Sequence, residues 1–297
     1  MSDVDAACAL LLAAAGVGTL VYFFVKEESD PATPPFALLV CVLASALSVC
    51  ASREWRRVDA GFKDVPFRPD GRAFCIWVLL IYPASLGSAG TQVYWCLQDE
   101  SDCPAAKRRT VLYLFAAAWL CTAAWPFAFG ARRYYLSALL LFATASLSMT
   151  ALSTLGAWQG QAEEWERWGI AFPCALLSSW TSVAFLIGAS IAIEAPATAQ
   201  GSADAEEEQT LKPVDAKTEK PAASPEVNSA AAGAAATLIA STVGIASTIL
   251  PDPVIPLVAA WAVAFMTRAS VLQRVACCIS LSAVCAMVLL RVYKVDV

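Results

Sequence analysis

Nine apolar runs, at residues 6–25, 36–52, 73–96, 110–129, 134–157, 168–193, 229–249, 253–267 and 271–293, divide this chain, with charged or polar stretches between them. The hydrocarbon core of a bilayer is about 30 Å thick and takes about 20 apolar residues of helix to cross. Within it every backbone N–H and C=O must find a partner inside the protein, which leaves helices or closed barrels. Runs of this length predict an all-α fold, a polytopic transmembrane helical bundle of about nine helices. Composition agrees, since 59% hydrophobic residues, 15% charged residues and a mean hydropathy of +0.61 lie far from the balance of a soluble domain. The run at 229–249 is Ala-rich, and that at 253–267 is short and opens among Pro251, Pro253 and Pro256. These two are expected either to cross or to form a re-entrant or surface pair.

The loops give an orientation. If all nine runs cross, the N-terminal side carries 13 Lys and Arg: six within 53–72, Arg132 and Arg133, three within the 194–228 linker, then Arg268 and Arg274. The opposite side carries seven. The positive-inside rule then predicts a cytosolic N-terminus. The first run follows Asp3 and Asp5 with no Lys or Arg before it, and KEE stands where a signal-peptide cleavage site is expected, so it reads as a retained helix. The stretch 195–228, with EEEQ, several prolines and scattered Lys, has the low hydropathy and mixed charge of a disordered cytosolic linker. The expected organisation is an N-terminal helix and loop at 1–35, a core at 36–194, the linker at 195–228 and a three-helix extension at 229–297.

The chain has no histidine, which removes His-ligated haem, His-based zinc sites and every Ser-His or Cys-His nucleophile pair. Most of the 11 cysteines fall inside apolar runs, where a thiol packs as a small hydrophobe. Cys96 and Cys103 bracket the acidic loop LQDESD on the side expected to be non-cytosolic, and a short disulfide is one alternative there. The interiors of the firm runs lack acids and bases, whereas ion-coupled carriers keep such residues for their relays. A sequence pI near 4.9 without a basic patch argues against nucleic acid as a partner.

Ten tryptophans divide into two groups. Trp55, Trp95, Trp158, Trp165 and Trp168 lie at or near the ends of runs, where indole rings prefer the headgroup level. Trp77, Trp119, Trp125, Trp180 and Trp261 lie within runs, where the ring either packs or faces a planar apolar guest, and the indole N–H needs an acceptor. Ser178, Ser179, Thr181 and Ser182 surround Trp180, and Gln92 shares a run with Trp77. These polar groups can join helices or hold a guest. Arg68, Arg72, Arg132 and Arg133 share the expected cytosolic face, as topology signals or as a basic rim for an anionic group.

The stretch PFRPDGRAFCIWVLLIYPASLG, with Phe67, Pro69, Phe74, Trp77 and Tyr82, resembles the second helix of the translocator protein or tryptophan-rich sensory protein (TspO) family. The stretch from Leu112 to Leu152, with Trp125, Pro126, Phe129, Gly130, Arg132 and Arg133, looks like the family's third and fourth helices. PCALLSSWTSVAFLIG, with Pro173, Trp180 and Ala184, is similar to its fifth. The three matches keep the family's order. Where the family usually has Asn in helices three and five, this chain has Cys121 or Thr122 and Gly188. The resemblance implies a TspO-like five-helix core that binds an apolar planar ligand, a porphyrin or a sterol, with Trp77, Tyr82, Trp125, Trp180, Phe74 and Ala184 lining the site. It implies no metal and no cofactor beyond such a ligand; the partners are the bilayer, the ligand and a second copy of the chain. The competing readings are a transporter without ion-coupling residues and a structural membrane subunit with a degenerate pocket.

Overall fold

A computed structural model describes residues 33–51, 75–98, 106–156, 163–209, 252–264 and 271–292, and every regular element among them is helical. The run at 6–25, the motif up to Phe74, Cys103, Trp55, Trp158, the chain from 210 to 251 and residues 265–270 lie outside the described residues. We number the helices in chain order. Helix α1 is Thr33–Ala51. Helix α2 opens with a π-helical turn at Trp77–Ile81 and continues as Tyr82–Gln98. Helices α3 and α4 are Ala106–Gly130 and Tyr134–Leu155. Helix α5 begins as a short turn at Glu164–Glu166, passes through a π-helical turn at Arg167–Ala171 and runs on as Phe172–Gln209. Helices α6 and α7 are Val254–Ala264 and Val271–Val292.

Three of these are long and apolar enough to cross a membrane: Lys107–Gly130, Tyr134–Leu155 and Glu164–Ala189. Thr33–Val49, Val254–Ala264 and Arg274–Leu289 are shorter apolar helices. The chain stays helical through Gln209, past the boundary at 194 that composition suggests, so residues 195–209 are helix where a linker is expected.

Helix α3 is central, packed between α1 and α4, while α5 lies against α4 on one side and α6 on another. Its sequence shows why. Leu112, Phe115, Trp119, Thr122, Pro126 and Phe129 recur at intervals of three and four, which puts them on one face of a helix, and all six are buried. The opposite chemistry of a soluble protein is missing: Leu47, Leu79, Leu139, Ile279 and Met287 point outward with 60% or more of their surface exposed. An apolar exterior of this kind is what a bilayer covers.

Lipid tails are as apolar as leucine, so helix contacts in a membrane depend on close packing and hydrogen bonds. Between α3 and α4 the Thr122 and Thr144 hydroxyls meet at 3.4 Å, and Thr144 also donates to the Ala118 carbonyl across the interface at 3.3 Å. On α5, Gly188 lies against α4, where an added Cβ would stand 3.8 Å from Ala138. Gly188, and Thr122 or its neighbour Cys121, stand where the family resemblance expects Asn. Here the residues are small and serve the contact between helices.

The two ends of the bundle are fixed differently. At one end Glu166 uses both carboxylate oxygens: Oε1 accepts from Arg108 Nε of α3 at 2.8 Å, and Oε2 accepts from the Glu163 backbone N–H at 3.0 Å. The Arg108 guanidinium also lies 5.0 Å from the centre of the Trp165 ring, and Trp165 Nε1 donates to Glu163. Cys96 is buried on α2.

At the other end the α3–α4 turn closes with Arg133 N–H on the Ala128 carbonyl and Arg132 N–H on the Phe129 carbonyl, both at 3.0 Å. This pair of bonds is a Schellman closure, which needs a left-handed residue just past the helix. Arg132 occupies that place at φ 59°.

Asp252 caps α6, accepting the Val254 N–H at 2.7 Å, and is fully buried. By sequence it lies between two runs; in the fold it lies close enough to Cys174 of α5 and Cys285 of α7 to act on both electrostatically. The expectation of acid-free interiors concerns the firm runs; Asp252, in the proline-rich break between two others, is a buried carboxylate outside it.

Arg132→Gly removes the Cβ strain at the left-handed position and is expected to stabilise the protein by about 0.5–1 kcal/mol, read as a higher denaturation midpoint in detergent. Arg133→Gly, at a residue with negative φ, is expected to lower it.

A candidate ligand site built from aromatic rings

Four aromatic rings from three helices meet beside α1. Tyr82 of α2 lies 5.0 Å, centroid to centroid, from Trp119 of α3. Trp77 of α2 contacts Tyr82, Trp119 and Trp180 of α5 at 5.8, 6.1 and 6.3 Å. Phe115 extends the group one turn along α3, 6.4 Å from Trp119. Separations of 4.5–7 Å with tilted or edge-on planes are those at which ring quadrupoles attract. Trp119 is wholly buried, Trp180 is 3% exposed, and Tyr82 is tied to α1 by a 2.9 Å hydrogen bond between its hydroxyl and Ser45 Oγ.

The π turn explains how two residues five apart reach one cluster. In an α-helix, at about 100° per residue, Trp77 and Tyr82 would point about 140° apart. The π turn instead bonds the Tyr82 N–H to the Trp77 carbonyl, an i→i+5 link that brings the fifth residue back over the first. A second π turn, closed by the Phe172 N–H on the Arg167 carbonyl, opens α5 and packs against α2. Single π turns within helices occur frequently at functional sites.

The residues singled out from the sequence separate into groups. Trp77, Tyr82 and Trp180 come together. Trp125 does not join them: it packs on Phe129 at 5.9 Å, in a smaller cluster that includes Tyr134 and Ile191. Six helical residues separate Trp119 from Trp125, a turn of about 240° and a rise of about 9 Å, so the two rings cannot wall one space. Ala184 lies one turn beyond Trp180 on α5, half-buried. Phe74 lies outside the described residues.

Trp119 belongs to the cluster with Trp77, Tyr82 and Trp180. Its signal was present in the three-and-four spacing that aligns it with Leu112, Phe115 and Thr122.

The hydroxyls around Trp180 are engaged locally. Ser178 and Ser179 donate to the Ala175 carbonyl, Thr181 to Leu177 and Ser182 to Ser178, all within α5. Such back-bonding leaves their protons unavailable to a guest or to a neighbouring helix. Gln92 bonds Ser88 at 3.5 Å and is ten residues, about 15 Å of helix, from Tyr82. Trp119 Nε1, and Ser85 Oγ one turn along α2 from Tyr82, are among the buried polar atoms with no hydrogen-bond partner among the described residues. No group of three or more Cys, Asp or Glu side chains that could hold a metal occurs among those residues. The cluster therefore offers π faces, an indole donor and a hydroxyl, the means to stack on a flat apolar molecule and hydrogen-bond one polar atom.

Tyr82→Phe is expected to lower stability by about 1 kcal/mol through loss of the Ser45 bond. Ser45→Ala should do the same, and the double variant should lose little more than either alone, as measured by denaturant titration in detergent.

No curated protein and no solved structure matches the chain. The family model described as TSPO-like protein matches residues 35–207, which takes in nearly all of α1, α2 to α4 and nearly all of α5 and stops short of α6. That match spans more than half of the 297 residues, and the chain belongs to the TSPO-like protein family.

Proposed function

We propose that this membrane protein of TspO type binds an apolar planar ligand, a porphyrin or a sterol, against Trp77, Tyr82, Trp119 and Trp180, for sensing, sequestration or transfer. The observation that carries the reading is the fully buried Trp119 indole, which stacks on Tyr82 while its N–H lacks an acceptor among the described residues. A buried donor left without a partner costs about 1–3 kcal/mol, and a ligand carbonyl or carboxylate would recover that cost.

The rings already fill the space between them, so a guest has to displace one. Trp77 is the candidate: it is half-buried, sits on the π turn and is followed by Val78 and Leu79, both more than 60% exposed. Entry would then be lateral, from the lipid side, past the start of α2.

In this reading α1 to α5 form the five-helix core at 36–194, with a helix before it and three after it. That gives nine crossings with a cytosolic N-terminus. The mutual contact of the rings also favours a second reading, a structural subunit whose pocket is closed.

Titration of the detergent-purified protein with protoporphyrin and with a fluorescent sterol analogue, followed by tryptophan quenching, separates the two. Saturable quenching is expected for one of them, weakened about tenfold by Trp119→Phe or Trp180→Phe and left within about twofold by Trp125→Phe. Quenching that is absent, or equally sensitive to Trp125→Phe, would favour the closed structural subunit.

A further inference from the structure

The C-terminal hairpin, outside the interval matched by the family, carries a groove of about 500 Å³ between the end of α6 and the first three turns of α7. Ala264, Arg274, Val275, Cys278, Ile279 and Ser282 line it. We propose that this groove binds an anionic glycerophospholipid, with the phosphate on Arg274 and an acyl chain along α7. This site is separate from the aromatic cluster and does not depend on its occupancy.

The arrangement of the lining supports an amphiphile. Arg274, Cys278 and Ser282 stand four residues apart, so they form one row along the helix, about 12 Å from first to last. Val275 and Ile279 form the adjacent row and are 48% and 65% exposed. The groove thus has a cation at one end and a largely aliphatic strip leading away from it. Helix α7 packs on α6, where the Cys278 and Cys285 thiols donate to the Ala260 and Pro253 carbonyls at 3.5 and 3.4 Å, and leaves Ile279 and Met287 exposed, so nothing among the described residues closes the groove.

Arg274 itself points to an anion. One of its five N–H donors is accounted for, by Nη1 to the Ala264 carbonyl at 3.3 Å, which satisfies a C-terminal carbonyl of α6. Its Nε is buried with no hydrogen-bond partner, and no carboxylate pairs with it among the described residues. A guanidinium at the edge of an apolar surface has donors left for an anion, and its planar fork matches phosphate bidentately. A zwitterionic lipid would bring its own cation beside Arg274 and gain less.

Native mass spectrometry of the purified full-length chain, titrated with phosphatidylglycerol and with phosphatidylcholine of the same acyl chains, tests this directly. Wild type should retain one phosphatidylglycerol with about tenfold preference over phosphatidylcholine. Arg274→Gln should abolish the preference. Ile279→Trp, a change on the lipid-facing surface that fills the groove and keeps the arginine, should reduce retention of both lipids at this site. Equal retention of the two lipids by wild type would overturn the proposal. So would a preference that survives Arg274→Gln, or one that is lost in Arg274→Gln while Ile279→Trp binds normally, since that pattern describes surface attraction without a groove.

Discussion

The stack of Tyr82 on Trp119 is the contact on which the bundle converges. Its two rings belong to α2 and α3, its hydroxyl end reaches Ser45 of α1, and Trp77 links it to Trp180 of α5. In water such a cluster would be held by expulsion of solvent. In a bilayer that drive is missing between helices, so within the cluster ring geometry, dispersion and one hydrogen bond join four helices. That constraint explains why the contact is made of large flat surfaces and why the neighbouring interfaces are small. Thr122 with Thr144, and Gly188 against Ala138, let α3, α4 and α5 approach closely enough for the aromatic layer to close.

The same interior explains the unusual backbone. A regular α-helix through Trp77 and Tyr82 would send one ring outward to lipid, whereas the π turn at Trp77–Ile81 places both inside. The π turn at Arg167–Ala171 lies just after Glu166, whose bond to Arg108 fixes the start of α5 to the start of α3. Among the described residues the π turns thus fall at the start of α2 and of α5. The α3–α4 end is closed by a tight turn with Arg132 in a left-handed conformation.

Hydropathy made the helices legible, because length and apolarity are physical requirements of a span and not preferences. The expected runs at 36–52, 73–96, 110–129 and 134–157 agree with α1 to α4 to within a few residues. Composition was a poorer guide at 195–209, where alanine and glutamate, both good helix formers, extend α5 to Gln209. It also hid Asp252, since a break rich in proline reads as a loop whether it lies outside the bundle or within it.

The site was legible in part. The family's spacing singles out Trp77, Tyr82 and Trp180, which share one aromatic cluster, and Trp125, which packs in another; Trp119, the further ring of the first cluster, follows from helix periodicity. No sequence signal announced the π turns. The aromatic cluster as a ligand site is tested most directly by hydrogen–deuterium exchange of the protein with and without protoporphyrin. The account predicts slowed exchange at Trp77–Ile81 and Arg167–Ala171 and none at the turn from Ala131 to Arg133. Unchanged exchange at both π turns, or protection confined to the α3–α4 turn, would contradict it.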